Sequence, residues 1–256
     1  SGRTTLNGEG LQHQDGHSHI LSSTIPNCLS YDPAYAYEVA VIVKDGIKKM
    51  YVDQENYFYY ITTINENYSH PEMPDGSEEG IIKGMYKLIE EDNADVRLIG
   101  SGAILREAIK AREILKKYKI TAEVWSVTSF NLLRKNGMEV ERKNHLNPDK
   151  DSELSYVEQC FSDKDIPVIA ATDYMRSYSE QIRPYVKSSY HTLGTDGYGR
   201  SDSRQTLRDF FEIDSTNISR SAIYALYKKN HISKEQIIDF YEDLEVDSDK
   251  PNPWEV

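Results

Sequence analysis

Cysteine is almost missing from this 256-residue chain. The two that occur, Cys28 and Cys160, form no metal-binding or redox spacing, which excludes a disulfide framework and points to a reducing interior. No apolar run approaches the roughly 20 residues that span a bilayer, and no signal-peptide pattern opens the chain. Basic residues are also short: 30 Lys and Arg stand against 42 Asp and Glu, a net charge of -12, with a pI near 5.1. That balance argues against non-specific binding to nucleic acid or to an anionic membrane. What remains is an acidic globular protein, expected to be soluble and cytoplasmic, with room for one large domain or two smaller ones. The 19 tyrosines are spread along the chain and mark no site.

Against this background one stretch is dense in chemistry. Gly8-Glu9-Gly10-Leu11-Gln12-His13-Gln14-Asp15-Gly16-His17-Ser18-His19 holds three histidines, two carboxylates and three glycines. Imidazoles hold or pass a proton near neutral pH. If Asp15 to His19 runs extended, Asp15, His17 and His19 point to one side, and His13 joins them if the extension reaches back. Such a segment reads as a lip of an active site; the plain rival is a polar surface loop. A zinc reading exists, with His17 and His19 chelating from one strand face, but no further ligand cluster supports it.

Along the chain, Ile20 to Cys28 reads as an apolar link into a strand. Asp32 suits a helix N-cap and Pro33 the first helical position, and Ala36, Val39, Val43, Ile47 and Met50 then recur at helical spacing to about Tyr51. Tyr57 to Thr62 is a continuous aromatic and β-branched run, which predicts a strand buried on both faces. Residues 67–76, with Pro71, Pro74 and Gly76, read as a linker. Ser77 to Glu91 predicts a short helix or an opening strand. From Ala94 a βαβ unit is legible: strand Val96 to Ile99, the Gly100-Ser101-Gly102 turn, a helix striped by Ile104, Ala108, Ala111 and Leu115, and strand Ala122 to Val127. Helices follow at Phe130 to Asn136, Leu154 to Phe161 and Tyr174 to Arg183, with polar loop from Asn144 to Ser152. Strands are expected at Pro167 to Thr172 and Tyr190 to Leu193. Helices near Ile218 to Lys229 and Lys234 to Leu244 close an α/β domain beginning near residue 77.

Two further groups carry weaker signals. Gly100-Ser101-Gly102 sits where a dinucleotide-binding turn would, and Glu123 lies near the spacing of a ribose-binding acid. Leu105 replaces the third glycine of that fingerprint, so a tight turn that binds nothing is the preferred reading. Asp196-Gly197-Tyr198-Gly199-Arg200-Ser201-Asp202-Ser203-Arg204 is rich in turn formers; as the default it is a well-tied connection. At the edge of a parallel sheet Asp196 and Arg200 could fix a dimer contact near a catalytic cleft.

The opening block Ser1 to His13 with Asp15-Gly16-His17-Ser18-His19 resembles the homodimeric type of pyruvate dehydrogenase, the decarboxylating first component of the pyruvate dehydrogenase complex. So do Ile25-Pro26-Asn27-Cys28, Tyr31-Asp32-Pro33-Ala34, Tyr60-Ile61-Thr62-Thr63, Asn65-Glu66-Asn67-Tyr68, Ser126-Val127-Thr128-Ser129-Phe130 and Leu193 to Arg204. A looser likeness reaches transketolases. The resemblance implies an α/β fold in two parts: residues 1–76 end a thiamine-diphosphate-binding, pyrimidine-type domain, and 77–256 form a transketolase C-terminal-like domain with a mostly parallel sheet. It implies thiamine diphosphate and magnesium, held by sequence upstream of this chain, and assigns neither cofactor-binding nor metal residues within it. His13 would face the thiamine-bound pyruvate adduct, Glu9 and Asp15 would orient the loop, and His19 would lie close to the same pocket. Gln14 departs from the acid often found there in that family. Implied partners are pyruvate, the lipoyl domain of the dihydrolipoyl acetyltransferase and a second copy of the chain. Since the chain opens at Ser1 in an expected loop, it reads as a C-terminal fragment, inactive alone. The rivals are a transketolase-type two-carbon transferase and a non-catalytic dimerisation module.

Overall fold

Two sheets of unequal size organise the computed structural model, which describes residues 2–256; the loop expected at Ser1 lies outside the described residues. After residues 2–17 and the short helix α1 (Ser18–Ser22), strand β1 (Cys28–Tyr31) pairs in parallel with β2 (Phe58–Ile61). Between them runs α2 (Ala36–Ile47), whose end widens into a π turn over Lys48–Val52. The helix starts later than Asp32-Pro33 predicts. The Glu38 carboxylate takes the Tyr35 N–H at 3.1 Å, so Tyr35 caps it and Asp32 is left for another task. β2 is not buried on both faces as expected. Its residues alternate between exposed and half-buried, because β1 is its one partner among the described residues.

The residues 77–91 supply both alternatives the sequence left open. Helix α3 (Glu78–Lys83) closes with the Gly84 N–H on the Gly80 carbonyl, and strand β3 (Met85–Ile89) follows at once. β3 runs antiparallel to β5 (Ala122–Val127). Parallel to β5 come β4 (Val96–Gly100), β6 (Val168–Ala171) and β7 (Tyr190–Leu193), in the spatial order β3-β5-β4-β6-β7. The connections are α4 (Leu105–Lys117), then α5 (Phe130–Leu146) with α6 (Tyr156–Cys160), then α7 (Arg176–Ser179) with a 3-10 turn over Glu180–Tyr185. Helix α5 runs past the predicted Asn136 and absorbs the start of the expected polar loop. Helix α8 (Arg204–Phe210), absent from the sequence reading, precedes α9 (Ser215–Lys228) and α10 (Lys234–Asp243). Ser203 and Ser233 cap α8 and α10 through their hydroxyls.

Strand alternation sorts the five-stranded sheet into two apolar faces. Val96, Leu98, Val124 and Ile169 pack against Leu105, Ala108, Ala111 and Leu115 of α4 and against Ile218, Ala222 and Ala225 of α9. Ile99, Trp125, Val127 and Val168 meet Phe130 and Leu133 of α5, Val157 of α6 and Tyr178 of α7. One strand position breaks the apolar rule. Arg97 is fully buried, pairs with Glu123 and Asp163, and donates to the Lys164 carbonyl at 2.9 Å. Glu123, read above as weak evidence for a ribose, is committed to this pair and to the Trp125 indole N–H at 2.9 Å. Removing one member of such a pair strands the other charge in the interior, so Arg97→Met is expected to lower unfolding stability by about 3–5 kcal/mol. Urea denaturation of the two proteins measures it, and a loss below about 1 kcal/mol would contradict the account.

Candidate active-site lip

An open parallel sheet binds ligands beyond the carboxyl ends of its strands, at the place where the order of connection reverses. Here the chain leaves β4 for β5 on one side and then crosses to β6 on the other, which puts that place above β4 and β6. The crevice is filled from within. Asp32 accepts from Ser101 Oγ at 2.9 Å and from Thr62 Oγ1 at 2.7 Å, while Ser101 also meets Thr172 Oγ1 at 3.0 Å. Gly102 holds a φ of +48°, and a Cβ there would sit 2.5 Å from Asp32 Oδ1. A phosphate has no room at this turn.

The first residues of the chain seal the same edge. Asp173, just past β6 and fully buried, accepts from the Thr4 N–H at 3.0 Å, Thr4 Oγ1 at 2.7 Å and Thr5 Oγ1 at 2.6 Å. Arg208 Nε reaches Thr4 Oγ1 at 3.3 Å. Arg3 donates to the Thr195 carbonyl at 2.9 Å and lies 3.3 Å from His17 Nε2. Burial lowers the Arg3 guanidinium's pKa, opposed by Asp196, Asp15 and Asp173.

From this anchor residues 8–17 rise as a lip, and the four predicted site residues fall into two pairs. Glu9 and His13 are brought together on the outer side. Leu11–His13 forms a 3-10 turn, and His13 Nδ1 lies 3.0 Å from Glu9 Oε2, with the two side chains 55% and 45% exposed. Asp15 and His19 turn inward. The extended run predicted for Asp15 to His19 does not form, because Asp15 Oδ1 takes the N–H groups of His17 at 2.9 Å and Ser18 at 3.0 Å and so starts α1. Its hydrogen bonds bring the Asp15 pKa down against the opposing effect of burial.

His19 is completely buried. Its ring stacks on Tyr178 at 4.8 Å, meets Tyr174 edge-on at 4.6 Å, and places Nε2 3.1 Å from Thr62 Oγ1, the hydroxyl that also serves Asp32. Burial drives its pKa down to about 3 and raises that of Asp32 to about 6. His17 stands apart on the surface. Among the described residues no group of three or more His, Cys, Asp or Glu could hold a metal ion, so the zinc reading finds no site. Asp173 and Gln14 escaped the sequence reading; the one available signal for Asp173 was a carboxylate placed at the end of an apolar strand.

Comparison with known proteins agrees with this geometry. Residues 84–214 match the model of the transketolase-like TK C-terminal domain, and residues 1–71 match the pyruvate dehydrogenase E1 component middle domain. The chain belongs to the transketolase-like family. It is 55% identical over 258 residues to the pyruvate dehydrogenase E1 component of Buchnera aphidicola from Acyrthosiphon pisum, covering 99% of this chain and 29% of that protein. The Escherichia coli K12 pyruvate dehydrogenase E1 component is 54% identical, again over 99% of this chain and 29% of its own length. The chain therefore spans 29% of the curated relatives it matches. A transketolase of Pichia stipitis has the same fold, at a TM-score of 0.66 and 20% identity, over 90% of this chain and 30% of that one. The resemblance drawn from the opening block and the α/β fold expected from it are both borne out. The transketolase-like sheet is the mostly parallel one read from the βαβ unit.

The buried His19 gives this transketolase-like chain a pH signature. Its folded pKa of about 3 lies below the ordinary 6.5, so between those values the folded chain binds fewer protons than the unfolded one and loses stability as pH falls. Asp32, raised from 3.8 to about 6, acts with the opposite sign and adds stability as pH falls from about 6. The His19 contribution lost by about pH 5 is on the order of 2 kcal/mol. In His19→Gln that loss disappears, so the melting temperature should drop less between pH 7 and pH 5 than in the parent, relative to each protein's own value at pH 7. Equal drops in both proteins would refute a neutral, buried His19.

Proposed function

We propose that this chain is the carboxyl-terminal portion of a thiamine-diphosphate-dependent pyruvate dehydrogenase, and that its lip closes one side of the reaction chamber. The reaction is decarboxylation of pyruvate, with the acetyl group then passed to a lipoyl group of the partner acyltransferase, in a cytoplasmic homodimer. The observation that carries this reading is the exposed His13–Glu9 pair, held at the carboxyl edge of the sheet in a chain more than half identical to pyruvate dehydrogenase E1 components. An exposed ion pair contributes only about 0–1 kcal/mol to stability, so packing gives little reason for it.

The residues present here do not form a holder for the diphosphate or for magnesium, since the crevice above β4 and β6 is filled by Asp32, Thr4 and Thr5. The cofactor, bound by the remainder of the protein, supplies the carbanion chemistry. What this chain adds is a placed imidazole. Glu9 orients the His13 ring through Nδ1, which leaves Nε2 to hold or deliver a proton at the substrate. Asp15 shapes the turn and His19 packs beneath it, so within the predicted set these two support the lip and the outer two face substrate. A transketolase-type transfer has weaker support, since the solved transketolases are near 20% identical. For the isolated chain, a non-catalytic dimerisation module remains the alternative, with Asp196 and Arg200 at the contact.

Two measurements test the reading. In the whole enzyme, His13→Ala should slow pyruvate decarboxylation by about 100-fold or more; a rate equal to the parent's would remove His13 from the reaction. Calorimetric titration of thiamine diphosphate and magnesium into this chain alone should give no tight binding, and a micromolar dissociation constant would overturn the division of labour described here.

A further inference from the structure

We propose that Gln14 is a positioning residue: its amide, paired in both directions with the Arg200 backbone, sets where His13 stands relative to the sheet edge. The inference deepens the function proposed above and rests on it for the role of His13. Leu11, Gln12 and His13 are exposed, but Gln14 is buried at 8% exposure. Its Nε2 donates to the Arg200 carbonyl, and its Oε1 accepts from the Arg200 N–H at 2.6 Å. This is the double exchange made by a hydrogen-bonded residue pair in antiparallel strands, with a side-chain amide taking one strand's place. It needs a donor and an acceptor at carboxamide spacing, which only Asn and Gln offer among neutral side chains.

The loop comes close to make the pairing. A Cβ at Gly199 would lie 2.9 Å from Gln14 Oε1 and 3.3 Å from the Leu11 carbonyl. Lesser ties flank it: Ser201 Oγ donates to the Glu9 carbonyl at 2.6 Å, and the Gly8 N–H reaches the Asp202 carbonyl at 3.4 Å. The 3-10 turn carries the constraint to the ring, because the His13 N–H bonds to the Gly10 carbonyl at 3.0 Å and the Gln14 N–H to the Leu11 carbonyl at 3.2 Å. The Glu9 pair holds the His13 ring to the lip. Gln14 holds the lip to the sheet.

Hydrogen exchange on this chain reads the pairing directly, because the Arg200 N–H is one of its two bonds. The charged groups around position 14 are Arg200 on the loop, Arg3 packed against Gly16, and Glu9, His13 and Asp15 on the lip. In Gln14→Ala, protection of the Arg200 amide should fall about tenfold relative to the parent, near pH 4 and near pH 8 alike. Gln14→Glu has the same shape but a titrating end. Protonated, its O–H donates to the Arg200 carbonyl as the amide does; ionised, it turns an acceptor toward that carbonyl. Its Arg200 amide should therefore match the parent near pH 4 and lose about tenfold in protection near pH 8. Each variant is compared with the parent at the same pH, and the switch within one variant separates loss of pairing from failure to fold. In the whole enzyme at pH 8, Gln14→Glu should lower kcat with KM unchanged. Parent-like protection in Gln14→Ala, a pH-independent Gln14→Glu, or the exchange switch without a change in kcat would each overturn the proposal. If instead His13→Ala decarboxylates normally while the exchange switch appears, it is the catalytic reading of His13 that fails.

Discussion

A carboxylate sealed from water at the end of a strand has to be met by donors, and Asp173 is met by Thr4 and Thr5, about 170 residues away in sequence. Burial raises its pKa, while the three hydrogen bonds and the Arg208 charge pull the other way. Left unmet, such a group would cost several kcal/mol. The dependence is mutual. The first residues of the chain have no strand or helix of their own there, beyond one bridge between Gly2 and Asp15, and they are fixed because Asp173 requires them. Everything on the lip, His13 included, inherits its place from that contact.

Arg208 extends the same seam. Besides Thr4 it pairs with Glu66 at 3.3 Å and Glu107 at 3.4 Å, and Glu66 in turn meets Arg106 at 2.5 Å. A residue following β2, one on α4 and one on α8 thus converge beside the lip. Exposed pairs contribute little, but here Arg208 and Glu107 are each 6% exposed, so the geometry is held as well as screened from salt. The result is that the smaller sheet, the lip and the larger sheet meet through charged and hydroxyl groups where the strands end, and through apolar side chains elsewhere.

This distribution explains what could be read in the chain beforehand. The unit from Val96 to Val127 was legible because its signal is local: an apolar strand, a tight turn, a stripe at helical spacing. The lip was legible as a site from residue types alone. Its shape was not, since one carboxylate, Asp15, turns the backbone into α1 where alternation assumed extension. Asp32-Pro33 is a sound capping signal by local rules, and it failed because Thr62 and Ser101, 30 and 69 residues further on, claim the carboxylate. Tyr57 to Thr62 has the composition of an interior strand, yet burial on a second face depends on a neighbour, which no single segment encodes. The antiparallel course of β3 was hidden for a similar reason: Met85–Ile89 is a short strand whose direction is set by the turn at Gly84 and by pairing with β5.

The two histidines at either end of the lip's second half show how one short segment can hold opposite environments. His19 gives up its charge to lie among Tyr60, Tyr174 and Tyr178, and its ring anchors α1 against the inner sheet edge. Its O=C is tied as well, accepting from Asn131 Nδ2 at 2.7 Å, so α5 grips the same turn. His13, six positions earlier, keeps its ring in solvent beside a carboxylate. The rigid buried imidazole makes the exposed one useful: a proton carrier on a loose loop would lose orientation, whereas one mounted between an anchored helix and a paired loop keeps it. Gln14, Asp15 and Gly16 are the three residues over which the chain passes from one environment to the other. Each is constrained, by Arg200, by Ser18 and by Arg3 in turn.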